Sequence, residues 1–395
     1  MKVNGEPTDL HLPQEKPSIC IIAHRAYGAM CGGKDGYVGG AEHQTSFTAR
    51  WLAGHGYETS LLTWDEGQPP VSVIDGVKII SICPSEKGLP GLRFFHPRLT
   101  GLYAAMRKAD ADIFYHNSAE YVTGLAADWC RRQGRAFVYS VASDVACDPR
   151  LPVMRKAYER VLYRRGLTGA RKIIVQTNRQ KNALRDGFGL HAVPLPMQCS
   201  GPSRQDYEKL SPPEPRRVAW IGRAAPMKRL EWLFSIAEKM PDVTFELAVA
   251  NENNEYGRNL RDRASALSNV LWRGTVRRAD MPAVYQRAMC VCCTSSYEGF
   301  PNTFLEAWSY GRPVVSSFDP DELIQRLNLG STANDVSQFV DTFSELLSSP
   351  NVWRQKSENA RRYYFDNHRP EAVMPLFVRE LVGAWKSLHA EPRSK

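Results

Sequence analysis

Segments with strand-like and helix-like patterns alternate along this chain in two successive series, with a proline-rich stretch between them. Short apolar runs such as Ser18-Ile-Cys-Ile-Ile-Ala23 are each followed by a segment with apolar residues at helical spacing. This order is typical of parallel sheets with helices on both faces. Since 395 residues exceed the usual size of one core, the pattern predicts two doubly wound α/β domains.

The first series opens with a βαβ unit whose first turn is rich in glycine. The turn ends in Gly39-Gly40-Ala41-Glu42, where a predicted helix begins. Glycine lets the backbone approach a ligand closely, and the free N–H groups of a helix start favour negative charge. Gly39 and Gly40 are therefore predicted to contact a phosphate, although any tight strand-to-helix turn could use the same residues. Further predicted strands are 77–82, 111–115, 136–141 and 172–176, and predicted helices are 100–109, 121–132, 153–166 and 178–186.

The second series follows a stretch with the composition of a linker. Residues 197–216 contain prolines at 202, 212, 213 and 215 among polar residues. The strand pattern then restarts at Arg217-Val-Ala-Trp-Ile221. The predicted organisation is a first domain over 1–196, a linker, a second domain over 217–369, and an amphipathic helix within 370–395.

Two carboxylates stand out in the second series. The stretch from Ser296 to Val315 lies between predicted strands at 290–293 and 313–316. It carries Glu298 directly before a Gly-Phe-Pro-Asn turn, and Glu306 inside the helical segment that follows. A carboxylate accepts hydrogen bonds from the paired hydroxyls of a sugar or ribose, and the helix start suits a phosphate. One such segment could therefore hold sugar, phosphate and ribose together. The plain alternative is an amphipathic helix with two surface acids.

Two cations follow the first strand of the second series. Arg223 and Lys228 lie in Trp220-Ile-Gly-Arg-Ala-Ala-Pro-Met-Lys228, directly after that strand. Positive charge there would neutralise a diphosphate and stabilise its departure as a leaving group. The alternative is a pair of solvated surface side chains.

Together these motifs resemble those of retaining glycosyltransferases of family 4. That family carries Glu-x7-Glu within S-x-x-E-G-F-(P/G)-x-x-x-x-E-A-x-x-x-G-x-P-V-V, and Gly-Arg-x-x-x-x-Lys after the first strand of its second domain. The resemblance spans the chain and is strongest over 217–335. It implies the GT-B fold, with two Rossmann-like domains facing across a cleft. The first domain would bind the acceptor, with the 370–395 helix packing back on it, and 217–369 would bind the donor.

The resemblance also assigns site residues. Glu298, His116 and Asp144 would be catalytic, with His24 as a further candidate. This chain has Tyr115-His116-Asn117 where many members have His-x-His, and Val249-Ala-Asn-Glu-Asn-Asn254 where the family often has Val-Gly-x-Gly. The donor would contact Gly39, Gly40, Arg223, Lys228, Gly299, Phe300, Pro301, Asn302 and Glu306. The base would contact Arg273, Thr275 and Val276.

The implied reaction is transfer of a hexose from a UDP- or GDP-sugar to an acceptor hydroxyl, with retention and without a metal or other cofactor. Asp319-Pro-Asp321 lies beyond the donor helix and is not a convincing metal motif. The alternatives are a sugar-nucleotide 2-epimerase of the same fold and a non-catalytic nucleotide-binding or nucleic-acid-binding protein. Intact Arg223, Lys228 and Glu298 argue against a non-catalytic role.

Charge suggests where the acceptor resides. The net charge is +9, and residues 150–186 hold eleven lysines and arginines against two acids. A second basic, aromatic stretch runs from Leu92 to Lys108. Such clusters suit an anionic membrane surface or nucleic acid, and no nucleic-acid motif accompanies them; a solvated helix face is the third possibility. We expect a glycan or lipid-linked acceptor, no nucleic acid, and a cytoplasmic protein, peripheral on the membrane, whose nine cysteines stay reduced.

Overall fold

The computed structural model describes residues 12–32, 39–89 and 92–390. Within them the chain forms two compact units. One comprises 12–32, 39–196 and 371–390, and the other comprises 197–370. The tip of the glycine-rich loop, 33–38, and the last residues of the predicted C-terminal helix, 391–395, lie outside the described residues.

The first unit is built on an eight-stranded sheet. Its strands are β1 (Ile19–Ile22), β2 (Thr59–Asp65), β3 (Val71–Ile74), β4 (Val77–Pro84), β5 (Ile113–His116), β6 (Ala136–Ser140), β7 (Lys172–Val175) and β8 (Val193–Pro194). They lie in the order β3-β4-β2-β1-β5-β6-β7-β8, and all neighbours are parallel except β3 and β4. Both faces of the central strands are covered, which is why β1 is a continuous apolar run with every residue buried.

Helices cover this first sheet. They are α1 (Tyr27–Cys31), α2 (Gly40–Gly54), α3 (Thr100–Ala109), α4 (Val122–Gln133), α5 (Ala157–Gly169), α6 (Asn178–Phe188) and α15 (Pro370–Ala390). The C-terminal helix packs on this unit, since Phe377 meets Tyr115 edge-on at 5.2 Å and Glu380 pairs with Lys172 at 2.9 Å.

The predicted start of one helix was wrong. A helix was expected from residue 153, but α5 begins at Ala157. The Glu159 carboxylate accepts a hydrogen bond from the backbone N–H of Lys156 at 3.2 Å, which caps the helix there. Residues 151–156 instead form an irregular segment with a turn at 152–153.

The second unit contains a six-stranded parallel sheet. Its strands are β9 (Arg217–Arg223), β10 (Thr244–Ala250), β11 (Val270–Gly274), β12 (Cys290–Cys293), β13 (Val314–Ser316) and β14 (Gly330–Thr332). They lie in the order β11-β10-β9-β12-β13-β14. Numbered within this unit the order is 3-2-1-4-5-6, the order of a Rossmann domain. The chain reverses direction across the sheet between β9 and β12, and ligands bind at such a switch point, outside the carboxyl ends of the strands.

The helices of this unit cover both faces. They are α7 (Arg204–Glu208), α8 (Leu230–Lys239), α9 (Glu255–Ser265), α10 (Met281–Arg287), α11 (Asn302–Ser309), α12 (Leu323–Arg326), α13 (Val336–Ser348) and α14 (Pro350–Asn367).

The segment predicted as a linker is partly structured. It contains α7, capped where Ser203 Oγ accepts from the Asp206 N–H at 3.0 Å. Arg361 of α14 donates to the carbonyls of Pro202 and Ser203 at 3.0 and 3.2 Å, and its guanidinium lies 4.3 Å from the Tyr207 ring centre. These contacts fasten the proline-rich segment to the second unit.

The buried residues come from the strands and from the helices that cover them. All nine cysteines are free; eight are buried and Cys31 is exposed. Among the described residues, no helix combines the length and apolar character needed to span a bilayer.

Candidate active site

Two predicted site residues meet at the switch point of the second sheet. Lys228 lies in a short turn after β9, and Glu298 lies in the loop after β12. The Lys228 ammonium donates to Glu298 Oε1, and Ser295 Oγ donates to the same oxygen at 2.6 Å. Both side chains are largely enclosed, with 19% and 13% of their surfaces exposed. Arg223 ends β9 and is exposed, so cationic and anionic groups occupy one end of the sheet.

An arginine that the sequence patterns did not single out holds this arrangement in place. Arg229 donates to the carbonyls of Thr294 and Ser295 at 2.7 and 3.1 Å, and to Ser317 Oγ at 2.8 Å. Its guanidinium also stacks 3.8 Å from the Trp232 ring centre. The residue has a φ of 46°, an unusual backbone conformation for a non-glycine residue. The contacts bind the turn after β9 to the ends of β12 and β13.

Thr294 completes this connection. Its hydroxyl donates to the Lys228 carbonyl at 2.6 Å and accepts from the Trp220 indole at 3.1 Å. The threonine is fully buried. Lys228 is therefore held through its backbone as well as its side chain.

Glu306 is buried on α11 and receives two strong donors. Arg278 donates to Oε1 at 2.6 Å and the Tyr285 hydroxyl donates to Oε2 at 2.5 Å. Burial raises the pKa of Tyr285, and the Glu306 charge raises it further, so the phenol remains a donor. Each carboxylate oxygen retains a second acceptor site, so the pair could still bind a diol. Neither partner was predicted, because both lie more than twenty positions before Glu306 in the sequence.

The turn before α11 contributes backbone more than side chains. Phe300 is buried, and its ring lies 6.2 Å from Trp308 and 5.6 Å from His368. Gly299 and Pro301 are also buried, and Pro301 is the N-cap of α11. Asn302, the first helical residue, is part-exposed. Contact of Phe300 with a donor would therefore use its backbone, since its side chain belongs to the core.

The predicted base-contacting segment follows β11. The Arg273 side chain pairs with Glu246 at 3.0 Å, and this fully buried carboxylate also receives Arg217 and Arg287 at 2.9 and 2.7 Å. Arg273 is thus engaged in an ion network of the sheet. Thr275 is exposed and Val276 part-buried, which leaves the backbone of this turn for a ligand.

The first unit brings two predicted histidines together at its own switch point, between β1 and β5. His24 follows β1 and is stacked on Trp64 at 4.2 Å, while His116 ends β5 and is fully buried. Glu120 Oε1 lies 3.4 Å from His24 Nδ1 and 3.7 Å from His116 Nε2. Neither Glu120 nor Trp64 was predicted; the four-residue spacing from His116 to Glu120 after a strand was the available signal.

A hydrogen bond shows which nitrogen of His116 carries the proton. His116 Nδ1 lies 2.8 Å from the Ile22 carbonyl, which can only accept, so Nδ1 carries the proton. Nε2 is then an acceptor, and it is buried without a hydrogen-bond partner among the described residues. Burial lowers the pKa of His116, which keeps the ring neutral. A third of the Glu120 side chain is exposed. Burial raises the pKa of Glu120, but the charge of His24 and its hydrogen bond lower that pKa further, to about 2.

The remaining predicted residues occupy separate positions in the first unit. Asp144 begins a helical turn after β6, accepts from Gln180 Nε2 at 3.0 Å and lies 3.6 Å from Arg179. Gly39 is the N-cap of α2 and Gly40 its first residue. A Cβ at Gly39 would lie 2.2 Å from a Glu42 carboxylate oxygen, but this is the end of a flexible side chain that can rotate away, so local packing does not require glycine there.

Two family models match this chain. The Glycosyl transferase 4-like domain matches residues 39–197, and Glycosyl transferases group 1 matches residues 215–349. These matches place the chain among the glycosyltransferases, and its two sheets are the two Rossmann-like domains of the GT-B fold.

Curated relatives match over part of their length. A protein of Haemophilus influenzae named "uncharacterized glycosyltransferase" is 22% identical over 56% of this chain and 62% of its own. Mannosylfructose-phosphate synthase of Agrobacterium fabrum is 28% identical over 41% of this chain and 40% of its own. The matched stretches thus span less than two thirds of these relatives.

Solved structures match over nearly the whole chain. Sucrose-phosphate synthase from Thermosynechococcus elongatus superposes with a TM-score of 0.72 at 18% identity, covering 93% of this chain and all of that one. HepE from Anabaena, solved with UDP and glucose, has a TM-score of 0.70 at 16% identity, covering 95% of this chain and all of that one. At sequence identities this low, the structural similarity establishes the fold alone.

Proposed function

We propose that this protein is a retaining glycosyltransferase of family 4 that moves a hexose from a UDP- or GDP-sugar to an acceptor hydroxyl, without a metal. The observation that carries the proposal is the grouping of Arg223, Lys228, Glu298 and Glu306 around one end of a Rossmann-ordered sheet. Cations for a diphosphate and carboxylates for hydroxyls are the two requirements of a nucleotide-sugar site. The similar fold of HepE, solved with UDP and glucose, supports the same assignment.

The Lys228–Glu298 pair gives this site a specific way to accept its donor. A diphosphate that binds Lys228 replaces one negative partner of the ammonium with another, so the buried cation is not left unpaired. Glu298 loses its cation and retains Ser295. Its carboxylate then accepts from the hydroxyls of the transferred hexose, while Lys228 and Arg223 stabilise the charge that develops on the departing diphosphate.

Glu306 binds the ribose in this proposal. Arg278 and Tyr285 orient its two oxygens from the protein side, and the second acceptor site on each oxygen receives the ribose hydroxyls. Backbone groups of Gly299 to Asn302 contact the phosphates, and Gly39 and Gly40 of the first unit are separate candidates for phosphate contact. The base lies against Thr275 and Val276, with Arg273 contributing through its backbone.

His116 acts at the reacting sugar. Its Nε2 is a buried acceptor without a partner in the described structure, and a sugar hydroxyl would satisfy it. His24 and Asp144 are further candidates at the same carboxyl edge of the first sheet. Retention follows a same-face substitution in which the leaving phosphate helps to deprotonate the acceptor. The acceptor is a glycan or lipid-linked intermediate in polysaccharide or glycolipid assembly, on the cytoplasmic side of a membrane.

A panel of nucleotide sugars tests the proposal. The donor should raise the melting temperature, because a ligand that binds the native state stabilises it. Mass spectrometry of mixtures with candidate acceptors should then show an acceptor heavier by one hexose. Conversion of the nucleotide sugar to its 2-epimer would show that the protein is the epimerase and not a glycosyltransferase. Stabilisation by no nucleotide or nucleotide sugar in the panel would contradict a donor site.

A further inference from the structure

We propose that the first unit docks onto an anionic membrane through a defined surface of exposed apolar and basic side chains, here called the docking surface. Its apolar members are Leu89, Leu92, Phe95, Val153, Tyr158 and Val161. They expose between 42% and 70% of their surface. Six of the eight large hydrophobic residues that the described chain leaves exposed thus belong to this surface. Exposed apolar groups at this density mark an interaction site.

The two segments that supply these residues are joined in the fold. Leu89, Leu92 and Phe95 precede α3, whereas Tyr158 and Val161 lie one turn apart on α5. The Phe94 ring connects them, with its centre 5.3 Å from Tyr158 and 5.2 Å from Phe95. Segments separated by about sixty positions therefore form one continuous aromatic contact.

The positive charge of the same two segments indicates that the docking surface binds an anionic partner. Residues 84–99 and 150–165 contain nine lysines and arginines and two glutamates. Arg155, Lys156 and Arg160 are exposed on the α5 side, and Lys156 lies 5.7 Å from the Tyr158 ring centre. Basic groups bind anionic headgroups while aromatic and aliphatic side chains enter the boundary of the acyl chains.

A bilayer fits this surface better than a nucleic acid does. Phosphates of either partner would satisfy the basic groups. The exposed aliphatic side chains Leu89, Leu92 and Val161 gain nothing from a phosphate backbone, whereas a lipid interface buries them. The observations therefore favour lipid.

The position of the docking surface relates it to the histidine cluster of the same unit. The segments follow the carboxyl ends of β4 and β6, at the edge where His24 and His116 lie. Tyr121, next to Glu120, contacts Phe94 at 5.4 Å. Arg98 lies 5.9 Å from the Trp64 ring, which is stacked on His24. If the proposed function holds, a lipid-linked acceptor anchored at this surface would present its sugar beside His116.

The predicted basic stretch from Leu92 to Lys108 divides in the structure. Residues 92–99 join the docking surface, but Arg107 and Lys108 end α3, which runs from the carboxyl edge to the amino edge of the sheet. Arg132, at the end of α4, lies at that amino edge as well. These three exposed residues provide a control with the same change in net charge.

Co-sedimentation with vesicles tests the docking surface. The full chain should bind phosphatidylcholine vesicles partly replaced by phosphatidylglycerol, and bind pure phosphatidylcholine poorly. Arg155→Glu, Lys156→Glu and Arg160→Glu together should lower partitioning by roughly a hundredfold or more. The control triple Arg107→Glu, Lys108→Glu and Arg132→Glu should lower it far less. Leu92→Ser with Phe95→Ser should also weaken binding, with the net charge unchanged.

Three results would overturn the docking surface: equal, weak binding to both vesicle types, equal losses in the two charge triples, or retention of binding by the apolar double variant. Tighter binding to RNA that ignores the apolar changes would assign the basic groups to nucleic acid instead. Circular dichroism verifies that each variant is folded. The rise in melting temperature caused by a nucleotide sugar is measured on the same proteins and reports on the donor site of the second unit. If no nucleotide sugar raised the melting temperature, the donor site would be rejected, and the result with vesicles would still hold.

Discussion

At the scale of single residues, the four charged groups of the candidate site in the second unit differ in the side chains with which they pair. Glu298 is paired with Lys228 and Glu306 with Arg278, whereas Arg223 is exposed at the end of its strand. The two carboxylates therefore need not respond alike when their charge is removed. In the proposed donor site, loss of the Glu298 charge would free Lys228 for the diphosphate, whereas loss of the Glu306 charge would remove an acceptor for the ribose hydroxyls.

Substitutions in the Lys228–Glu298 pair should separate binding from turnover. Lys228→Met should cut turnover by at least about a hundredfold, the usual loss for one charge-stabilising donor, and should weaken binding of free UDP or GDP. Glu298→Gln should lower turnover but leave that nucleotide bound as tightly as in the wild type or more tightly, because Lys228 no longer has a competing partner. Calorimetry and initial rates measure both. Equal weakening of nucleotide binding by the two changes would contradict the exchange of partners.

Glu306 should govern recognition of the ribose. Glu306→Gln should weaken nucleoside diphosphate binding by about 1–3 kcal/mol, the cost of a hydrogen bond to a charged acceptor. The sharper test compares UDP with 2′-deoxy-UDP, or the guanosine pair if GDP is bound. The wild type should prefer the ribonucleotide, and the variant should lose most of that preference. An unchanged preference would place the ribose elsewhere.

Glu120 should act through His116. Its negative charge raises the pKa of His116 against the lowering caused by burial. If neutral Nε2 must accept a sugar hydroxyl, turnover falls as pH drops through the His116 pKa. Glu120→Gln removes the charge, so the acid limb of kcat/KM should move to lower pH; Asp148→Asn, at a carboxylate engaged by Arg150, serves as the control. A profile with an unmoved acid limb would remove Glu120 from this role.

At the scale of elements, the first unit depends on a close approach of α4 and α5. A Cβ at Gly124 would lie 2.0 Å from the Leu162 carbonyl oxygen, and one at Gly166 would lie 2.6 Å from the Thr123 carbonyl carbon. Both obstacles are backbone atoms, which cannot rotate away. The two helices can therefore pack at this distance only with glycine at both positions.

Gly124→Ala should accordingly destabilise the protein, by about 1–3 kcal/mol or more for overpacking of a tight contact. Gly383→Ala is the matched control, since it also lies in a helix and its Cβ would meet nothing within 4 Å. The control should be neutral or stabilising by up to about 1 kcal/mol, because alanine favours helix. Chemical denaturation compares them. Equal stability of the two variants would show that α4 and α5 can separate without cost.

Prediction from sequence succeeded for the secondary-structure elements and missed the residues that pair with the charged side chains. The strands β9 and β12, the cations that follow β9 and the acids that follow β12 were evident from local apolar runs and turns. Tyr285 and Arg229 were missed because their roles depend on where distant loops return. The start of α5 was misplaced for a similar reason, since apolar residues continue before Ala157 and only the Glu159 contact sets the boundary.

At the scale of the whole molecule, each unit has an almost wholly buried histidine whose pKa is lowered by burial. His116 is in the first unit, and His368 is in the second, where its Nδ1 lies 2.7 Å from the Met197 carbonyl. Burial lowers the pKa of His368 from 6.5 to about 4, and burial lowers that of His116 as well. In the unfolded chain both rings take up a proton near pH 6.5. Between the pKa of the unfolded chain and the lower pKa of the folded protein, the rings are protonated only in the unfolded state, so lowering the pH favours unfolding.

The sign follows from linkage: the unfolded state binds more protons below pH 6.5, so stability falls as the pH decreases from 6.5 toward about 4. For His368 alone the loss is about 3 kcal/mol across the window. Carboxylates such as Glu120, with a pKa of about 2, contribute mainly below pH 4.5, so pH 7 to 5 isolates the histidines. Between pH 7 and 5 the urea midpoint should fall steeply in the wild type and less steeply in His368→Gln. In the exposed control His191→Gln it should fall with the same slope as in the wild type. Parallel slopes for the wild type and His368→Gln would show that the buried ring is not kept neutral by the fold.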